Sequence, residues 1–430
     1  HLSFAILEGF CNPYTDSISY FPFIQILKNV FCVEDVDSPD LIKDKLLRNC
    51  ISLFGDEYKD IVPYLGYLFS VRFEKELDEK VKYLEPKDLR IKIFLSLRNL
   101  LYRISLNQPV LLVIDDFQWV DPVSLDFLDF LFSSSDFPLI FMALSRIERG
   151  EFHRLIEFLR NKLKENCLEI VIRPLDRDSS IELFSNLLKK ESIEEWLRDE
   201  ILLKAGGNPF YLEEIIRSLI EHGYLVFDGK VWRLGSDVLS LSIPDNVQNV
   251  IVSRLDRLNS VTRFILQVAS VIGKTFYVKV LEEIADLDEK ILDYHLGILE
   301  DYGFISVLRL EPYREYTFTH PIIHEVVYNG LLKKKRKELH RKVGEVMEKV
   351  FGDRIDDFTE VLAYHYANSD DLEKGINWLK RAGEKSKNRF SNDEAIKYFN
   401  RLISLLDENL DIKENVKIKV ETYEALGDIY

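Results

Sequence analysis

The chain has 430 residues, 47% of them apolar and 30% charged, with a net charge of −16 at pH 7 and an isoelectric point near 5.1. This composition excludes a disordered chain, and the acidity disfavours non-specific attachment to nucleic acid or to anionic membrane. No stretch approaches the roughly 20 apolar residues of a membrane helix, no signal peptide is visible, and the four cysteines show neither metal-type spacing nor a CxxC pair, so reduced thiols in the cytoplasm are expected.

Leu2–Glu8 reads as a short strand, followed by a Cys/Asn/Pro/Asp loop and an amphipathic helix near Phe23–Phe31. Phe54–Leu106 is mostly helical in pattern. Val110–Pro122, VLLVIDDFQWVDP, is the most informative stretch. Its unbroken apolar run predicts a central strand of a parallel sheet, covered on both faces. Asp115 and Asp116 follow at the carboxyl edge, where open α/β sheets bind ligands. Paired acids there suit a metal–phosphate site, one holding Mg²⁺ and the other polarising water. Asp121 and Pro122 sit where an N-cap and a first helical residue belong. Pro138–Arg146 and Leu168–Ile172 are predicted as the second and third apolar strands of the same sheet.

Arg177–His222 is helical with a break at Gly206–Pro209, and Asp228–Gly229 marks a hairpin within Leu225–Leu234. Pro244 opens a new region in which residues 247–258 recur at helical spacing. Helix continues to Ile272 and ends at Gly273. Phe304–Leu310 and Glu315–Thr319 flank a second hairpin turn at Glu311–Arg314. Three short helices and a hairpin describe a winged helix. After His320 the chain reads as all helical. Trp378, Leu379, Ala382, Gly383, Ala395 and Phe399 match a tetratricopeptide-like helix pair, and Leu426, Gly427 and Tyr430 begin the pattern again. That interval is longer than the usual repeat of about 34 residues, which places an insertion near Asp407–Glu414. His1 in place of Met, and an end at Tyr430 inside a helical pattern, read as a fragment of a longer protein.

Four strings carry a family resemblance. DDFQWVDPVSLDFL (Asp115–Leu128) resembles the Walker B signature of the signal-transduction ATPases with numerous domains (STAND), an AAA-related class. It is closest to the module attached to LuxR-type regulators, class III nucleotide cyclases and some kinases. GGNPFYLEEIIRSLIEHG (Gly206–Gly223) resembles the adenine-side motif, Ile243–Phe276 the start of the winged helix, and FTHPIIHEVVYNGLL (Phe318–Leu332) the last motif before the helical repeats. The resemblance implies an α/β parallel-sheet P-loop NTPase core over residues 1–175, lacking the P-loop. It continues as a helical lid over 176–240, a winged helix over 241–330 and TPR-like repeats over 331–430. GxxxxGK[ST], whose amides and lysine cradle phosphates, is absent from the sequence. Leu2–Phe10 resembles the strand after the P-loop helix, so the P-loop is expected upstream; the other reading is a protein that never had one.

By resemblance the ligands are ATP or ADP with Mg²⁺. Asp115 would hold the metal and Asp116 would activate water. Arg146 would sense the γ-phosphate. Gly207, Asn208 and Pro209 would tie the lid to the adenine, and His320 would contact the β-phosphate and lock a closed ADP state. Pro321 departs from the acidic residue of some relatives. His324 is expected on the following helix, on its surface or in the core. Lys333–Lys342 reads as a solvated helix face, and Glu213 and Glu214 as an exposed one. The implied function is an ATP/ADP switch whose repeats sense a protein or small inducer. The closed state is held by ADP bridging core, lid and winged helix, and oligomerisation would accompany the ATP state. No membrane and no direct nucleic-acid contact is expected. The parent would hydrolyse ATP slowly, while residues 1–430 alone would be inactive and bind ATP weakly. The alternative is a non-catalytic TPR-type scaffold with a degenerate ATPase domain.

Overall fold

The computed structural model describes residues 3–11, 18–35, 37–134, 137–146, 151–189, 193–229, 231–234, 246–310, 314–389, 391–407 and 413–429. It is an α/β chain with a small parallel sheet and many helices, divided into two compact units. The first comprises residues 1–168 and 347–430, the second residues 169–346. Among the described residues no helix is long and apolar enough to cross a membrane.

The first unit begins with β1 (Ala5–Phe10), α1 (Phe21–Phe31), α2 (Pro39–Phe54), α3 (Val62–Leu68), α4 (Lys75–Lys82) and α5 (Pro86–Ser105). It continues with β2 (Val110–Asp115), α6 (Pro122–Ser134), β3 (Leu139–Ala143) and α7 (Glu151–Leu163). The strands pair in parallel in the order β1-β2-β3, with Ile114 opposite both Gly9 and Ala143. Leu7, Val110, Leu112 and Ile114 face a core filled by Phe23 and Leu27 of α1, Leu97 of α5 and Phe127 of α6. Aromatic edges interlock there, the Phe23 and Phe127 rings lying 4.7 Å apart. Gly9 lets α1 approach, since a Cβ at that position would stand 2.6 Å from the Pro22 carbonyl oxygen.

Coverage of β2 on both faces does not hold. Leu111 and Val113 are only half-buried, and their neighbours Ile6, Ile140, Met142 and Leu144 are exposed. The reason is topological. Crossovers between parallel strands are right-handed, and both steps here run the same way, so their helices collect on one face. The third predicted strand is also absent. Leu168, Ile170, Val171 and Ile172 are exposed and form no ladder. An apolar run becomes a strand only where a neighbour supplies hydrogen-bond partners.

The second unit contains α8 (Arg177–Leu187), α9 (Glu195–Ala205), α10 (Pro209–Glu221), the antiparallel pair β4 (Leu225–Phe227) and β5 (Trp232–Leu234), and α11 (Val247–Leu255). Then come α12 (Ser260–Ile272), β6 (Thr275–Tyr277), α13 (Val278–Ala285), α14 (Glu289–Asp301), β7 (Ile305–Arg309), β8 (Glu315–Phe318), α15 (Pro321–Asn329) and α16 (Lys333–Phe351), the last running across the boundary between the units. The predicted hairpin is β7–β8, and β6 joins it as an unforeseen third strand in the order β6-β8-β7. Pro244 and residues 311–313 of the second hairpin turn lie outside the described residues.

The organising contact of this unit is a buried guanidinium. Arg254 has no exposed surface. It donates to Glu214 Oε2 at 2.5 Å, to both oxygens of Glu221, and to the Tyr302 carbonyl, with Phe304 beneath it at 4.7 Å. Glu214 therefore does not lie on an exposed face as its sequence pattern suggests; Arg254 draws it inward. In Lys333–Lys342 only Lys333, Lys334 and Lys337 are exposed; Leu339 and His340 are buried, and the outer side carries pairs such as Arg341–Glu345 at 3.1 Å.

The first unit resumes with α17 (Thr359–Ala367), α18 (Leu372–Asn388), α19 (Asn392–Asp407) and α20 (Lys413–Gly427). The predicted helix pair is α18–α19. Gly383 is required because Phe399 lies over it, 2.5 Å from where a Cβ would stand. The expected insertion near Asp407–Glu414 falls mostly outside the described residues.

Removing the Arg254 side chain strands the buried carboxylate of Glu214 and the partly buried one of Glu221. Arg254→Ala should lower unfolding stability by about 3–5 kcal/mol, measured by urea denaturation, whereas Arg341→Ala on the outer side of α16 should cost less than about 1 kcal/mol.

Candidate functional site

In the first unit, β2 ends at Asp115 and the chain turns sharply. Asp116 takes a left-handed backbone (φ 52°, ψ 41°), a conformation that aspartate tolerates better than most residues. Its amide donates to Asp115 Oδ1 at 2.9 Å. Asp115 faces solvent while Asp116 is half-buried. Both carboxylates thus stand at the carboxyl edge of the central strand of the parallel sheet.

Gln118 ties this turn to the next strand. Its Nε2 donates to Asp116 Oδ1 at 3.0 Å, and its Oε1 accepts from the Ser145 hydroxyl at 3.1 Å and the Arg146 amide at 3.2 Å. The Phe117 amide donates to the Leu144 carbonyl at 2.8 Å, and the Leu144 amide to the Ile114 carbonyl at 3.0 Å. Arg146, three residues past the end of β3, keeps its Nε 3.9 Å from Asp116 Oδ1. Asp115, Asp116 and Arg146 are therefore brought to one sheet edge. Gln118 and Ser145, which hold it together, were not among the expected site residues. The signal was present, since Gln118 lies two residues beyond Asp116 inside the motif.

Asp121 is almost fully buried. Its Oδ1 accepts from the amides of Ser124 at 2.9 Å and Tyr20 at 3.0 Å, and its Oδ2 from the Ser124 hydroxyl at 2.6 Å. It is the expected N-cap of α6. Burial, opposed by these hydrogen bonds, pushes its carboxyl up to about 6.

In the second unit, the break between α9 and α10 holds Gly207, Asn208 and Pro209. Gly207 adopts φ +75°, and a Cβ there would lie 2.4 Å from the Leu175 carbonyl oxygen. Its own carbonyl accepts from the Leu175 amide at 2.8 Å. Asn208 caps α10 by accepting from the Tyr211 amide at 3.1 Å, and Pro209 is the first helical residue. His320 caps α15 in the same way, its Nδ1 accepting from the Ile322 amide at 3.3 Å. Phe210 joins the two caps, its ring stacked on His320 at 3.9 Å and 11°. The first turns of α10 and α15 thus meet, and helix N-termini favour anions. Phe210 was not foreseen, although it directly follows Pro209. His324 is buried, 2.8 Å from the Ser270 carbonyl, and burial holds its imidazole down to about 4. It belongs to the core.

Among the described residues no group of three or more His, Cys, Asp or Glu side chains is placed to hold a metal ion. A pair of oxygen donors remains compatible with Mg²⁺, which is commonly held by one or two carboxylates together with substrate phosphates.

No family model matches the chain. An uncharacterized protein of Rhizobium meliloti (strain 1021) is 25% identical over 354 residues, 80% of this chain and 33% of its own length. The chain therefore spans about a third of that relative. Among solved structures, a Signal Transduction ATPase with Numerous Domains (STAND) protein with a tetratricopeptide repeat sensor from Pyrococcus horikoshii aligns with a TM-score of 0.40 at 13% identity. The alignment covers 88% of this chain and 64% of that one.

The two adjacent glycines separate conformational from steric cost. Gly206 also has a positive φ but faces open space, so Gly206→Ala should cost about 1–2 kcal/mol. Gly207→Ala must in addition displace Leu175 and should cost at least about 2–3 kcal/mol, a difference read from paired thermal melts.

Proposed function

We propose that the chain is the switch portion of a nucleotide-dependent signal-transduction ATPase of the STAND type. The observation that carries this reading is the strand-end constellation of Asp115, Asp116, Gln118 and Arg146 on one sheet edge. Asp115, exposed, would hold Mg²⁺ together with nucleotide phosphates. Bound there, the metal would neutralise phosphate charge. Asp116, oriented by Gln118, would accept the proton of an attacking water. Arg146, whose amide shares the same glutamine, would contact the γ-phosphate and so distinguish ATP from ADP. In the second unit we assign nucleotide contacts to Gly207, Asn208, Pro209 and His320; the stacked caps supply amide-rich helix starts suited to an anion.

Among the described residues the outer edge of β3 is unpaired and the apolar face at Ile6, Ile140, Met142 and Leu144 is exposed, which one further strand–helix unit would fill. In the STAND class such a unit carries the P-loop. We read β6–β8 with α12–α14 as a winged helix and α17–α20 as TPR-like repeats that sense a protein or small inducer. Cytoplasmic location and attachment to an output domain of the LuxR or cyclase type belong to the same proposal. One other reading is a non-catalytic scaffold whose helical array binds partners, which a full-length gene product lacking GxxxxGK[ST] would favour.

Nucleotide binding and turnover in the full-length gene product separate the two. Asp116→Asn should slow ATP hydrolysis by about 10²–10⁴-fold with nucleotide affinity retained. Arg146→Ala should keep ADP affinity and lose the preference for ATP in calorimetry. Equal loss of both nucleotides would overturn the sensor role, and no binding of either would favour the scaffold.

A further inference from the structure

We propose that the corner between α18 and α19 is a proton-gated latch on the acidic strand end of the same unit. The inference does not depend on the nucleotide reading. Glu394, in the first turn of α19, has no exposed surface, and neither carboxylate oxygen finds a hydrogen-bond partner on another residue. A buried carboxylate without donors from its neighbours is costly when ionised, so Glu394 is seated as the neutral acid.

Three further contacts define the corner. The Ser391 hydroxyl meets the Ser19 hydroxyl. Arg389 donates to the Ser70 hydroxyl at 3.2 Å and lies over the Tyr67 ring at 5.5 Å. Ser19 leads directly to Tyr20, whose amide is one of the donors to Asp121. A chain of contacts therefore runs from the helical array through Ser19 and Tyr20 to the cap of α6, and so to the end of the motif that begins at Asp115.

The charges facing Glu394 set the direction. Burial raises its carboxyl most, then the charge of Asp121; its own backbone amide and Lys397 oppose them, and Asp393 on the same helix adds a smaller rise, so the group is pushed up to about 8. On the core side the Cys11 thiol and the Tyr20 hydroxyl are themselves raised, chiefly by burial. They stay neutral and offer no countercharge. The nearby cations Arg389 and Arg90 act on Tyr20. Because the folded form holds the proton more tightly than the unfolded chain, the native state binds more protons between the two titrations, and stability falls as pH rises through that window. Above it the ionised Glu394 is relieved by moving into water, which releases Ser391 from Ser19.

The test uses the full chain, wild type against Glu394→Gln, by hydrogen exchange and urea denaturation between about pH 6 and about pH 9. In the wild type, protection of residues 18–20 and 391–395 and the denaturation midpoint should both fall with rising pH. In Glu394→Gln both should stay level. Parallel pH profiles in the two proteins would overturn the latch. Should the variant fail to fold, carbon-13 carboxyl titration of the wild type decides. A glutamate titrating more than about two units above the usual value near 4.3 supports the latch, and its absence refutes it.

Discussion

The first unit depends on β2 being paired in parallel on both sides. That position makes β2 the axis of the core, with Val110, Leu112 and Ile114 turned into it. It also fixes where the strand must end. Beyond Ile114 the ladder to β3 is carried on by the Leu144 and Phe117 amides, which holds the turn at Asp116 in its left-handed backbone. The acids are thus presented by a rigid strand end, and Gln118 binds that end to the neighbouring strand. Loss of either parallel ladder would leave the same residues on a loop without fixed geometry.

The second unit is organised by charge placed inside it. Arg254 spends its guanidinium on two carboxylates and a carbonyl drawn from α10 and from the turn before β7. Such an arrangement stabilises little compared with a packed apolar core, since both charges must be desolvated. What it provides is a single permitted geometry, because any shift of α10 against α11 would strand a buried ion. The stacked caps at Phe210 and His320 lie at the other end of α10, where it meets the start of α15.

Acids of the same type behave in opposite ways here. Asp115 stands at the solvent edge of the sheet, and Asp116 beside it is half-buried and tied to Gln118. Asp121, six residues beyond Asp115, is buried and spends its oxygens on backbone amides and a serine hydroxyl. Glu394 is buried with no such donors from other residues. Environment, not residue type, divides these carboxyls into a strand-end pair, a buried helix cap and a buried acid in an apolar setting.

Local pattern alone determined the acidic-ended strand, the cap at Asp121–Pro122, the two hairpins and the α18–α19 pair. Each rests on contacts between residues near in sequence, where periodicity and turn chemistry act directly. The grouping of Asp115, Asp116 and Arg146 was also legible, because neighbouring parallel strands end at one edge. Tertiary structure decided the rest. The run Leu168–Ile172 is as apolar as a strand but has no ladder, and a strand exists only through its neighbours. Glu214 followed the pattern of a solvated helix face until Arg254, forty residues away, drew it inside. The one-sided sheet follows from the handedness of successive crossovers, and the pairing of Phe210 with His320 and of Ser391 with Ser19 joins residues more than a hundred positions apart. No local pattern encodes those contacts, because their energy comes from surfaces that meet only once the chain has folded.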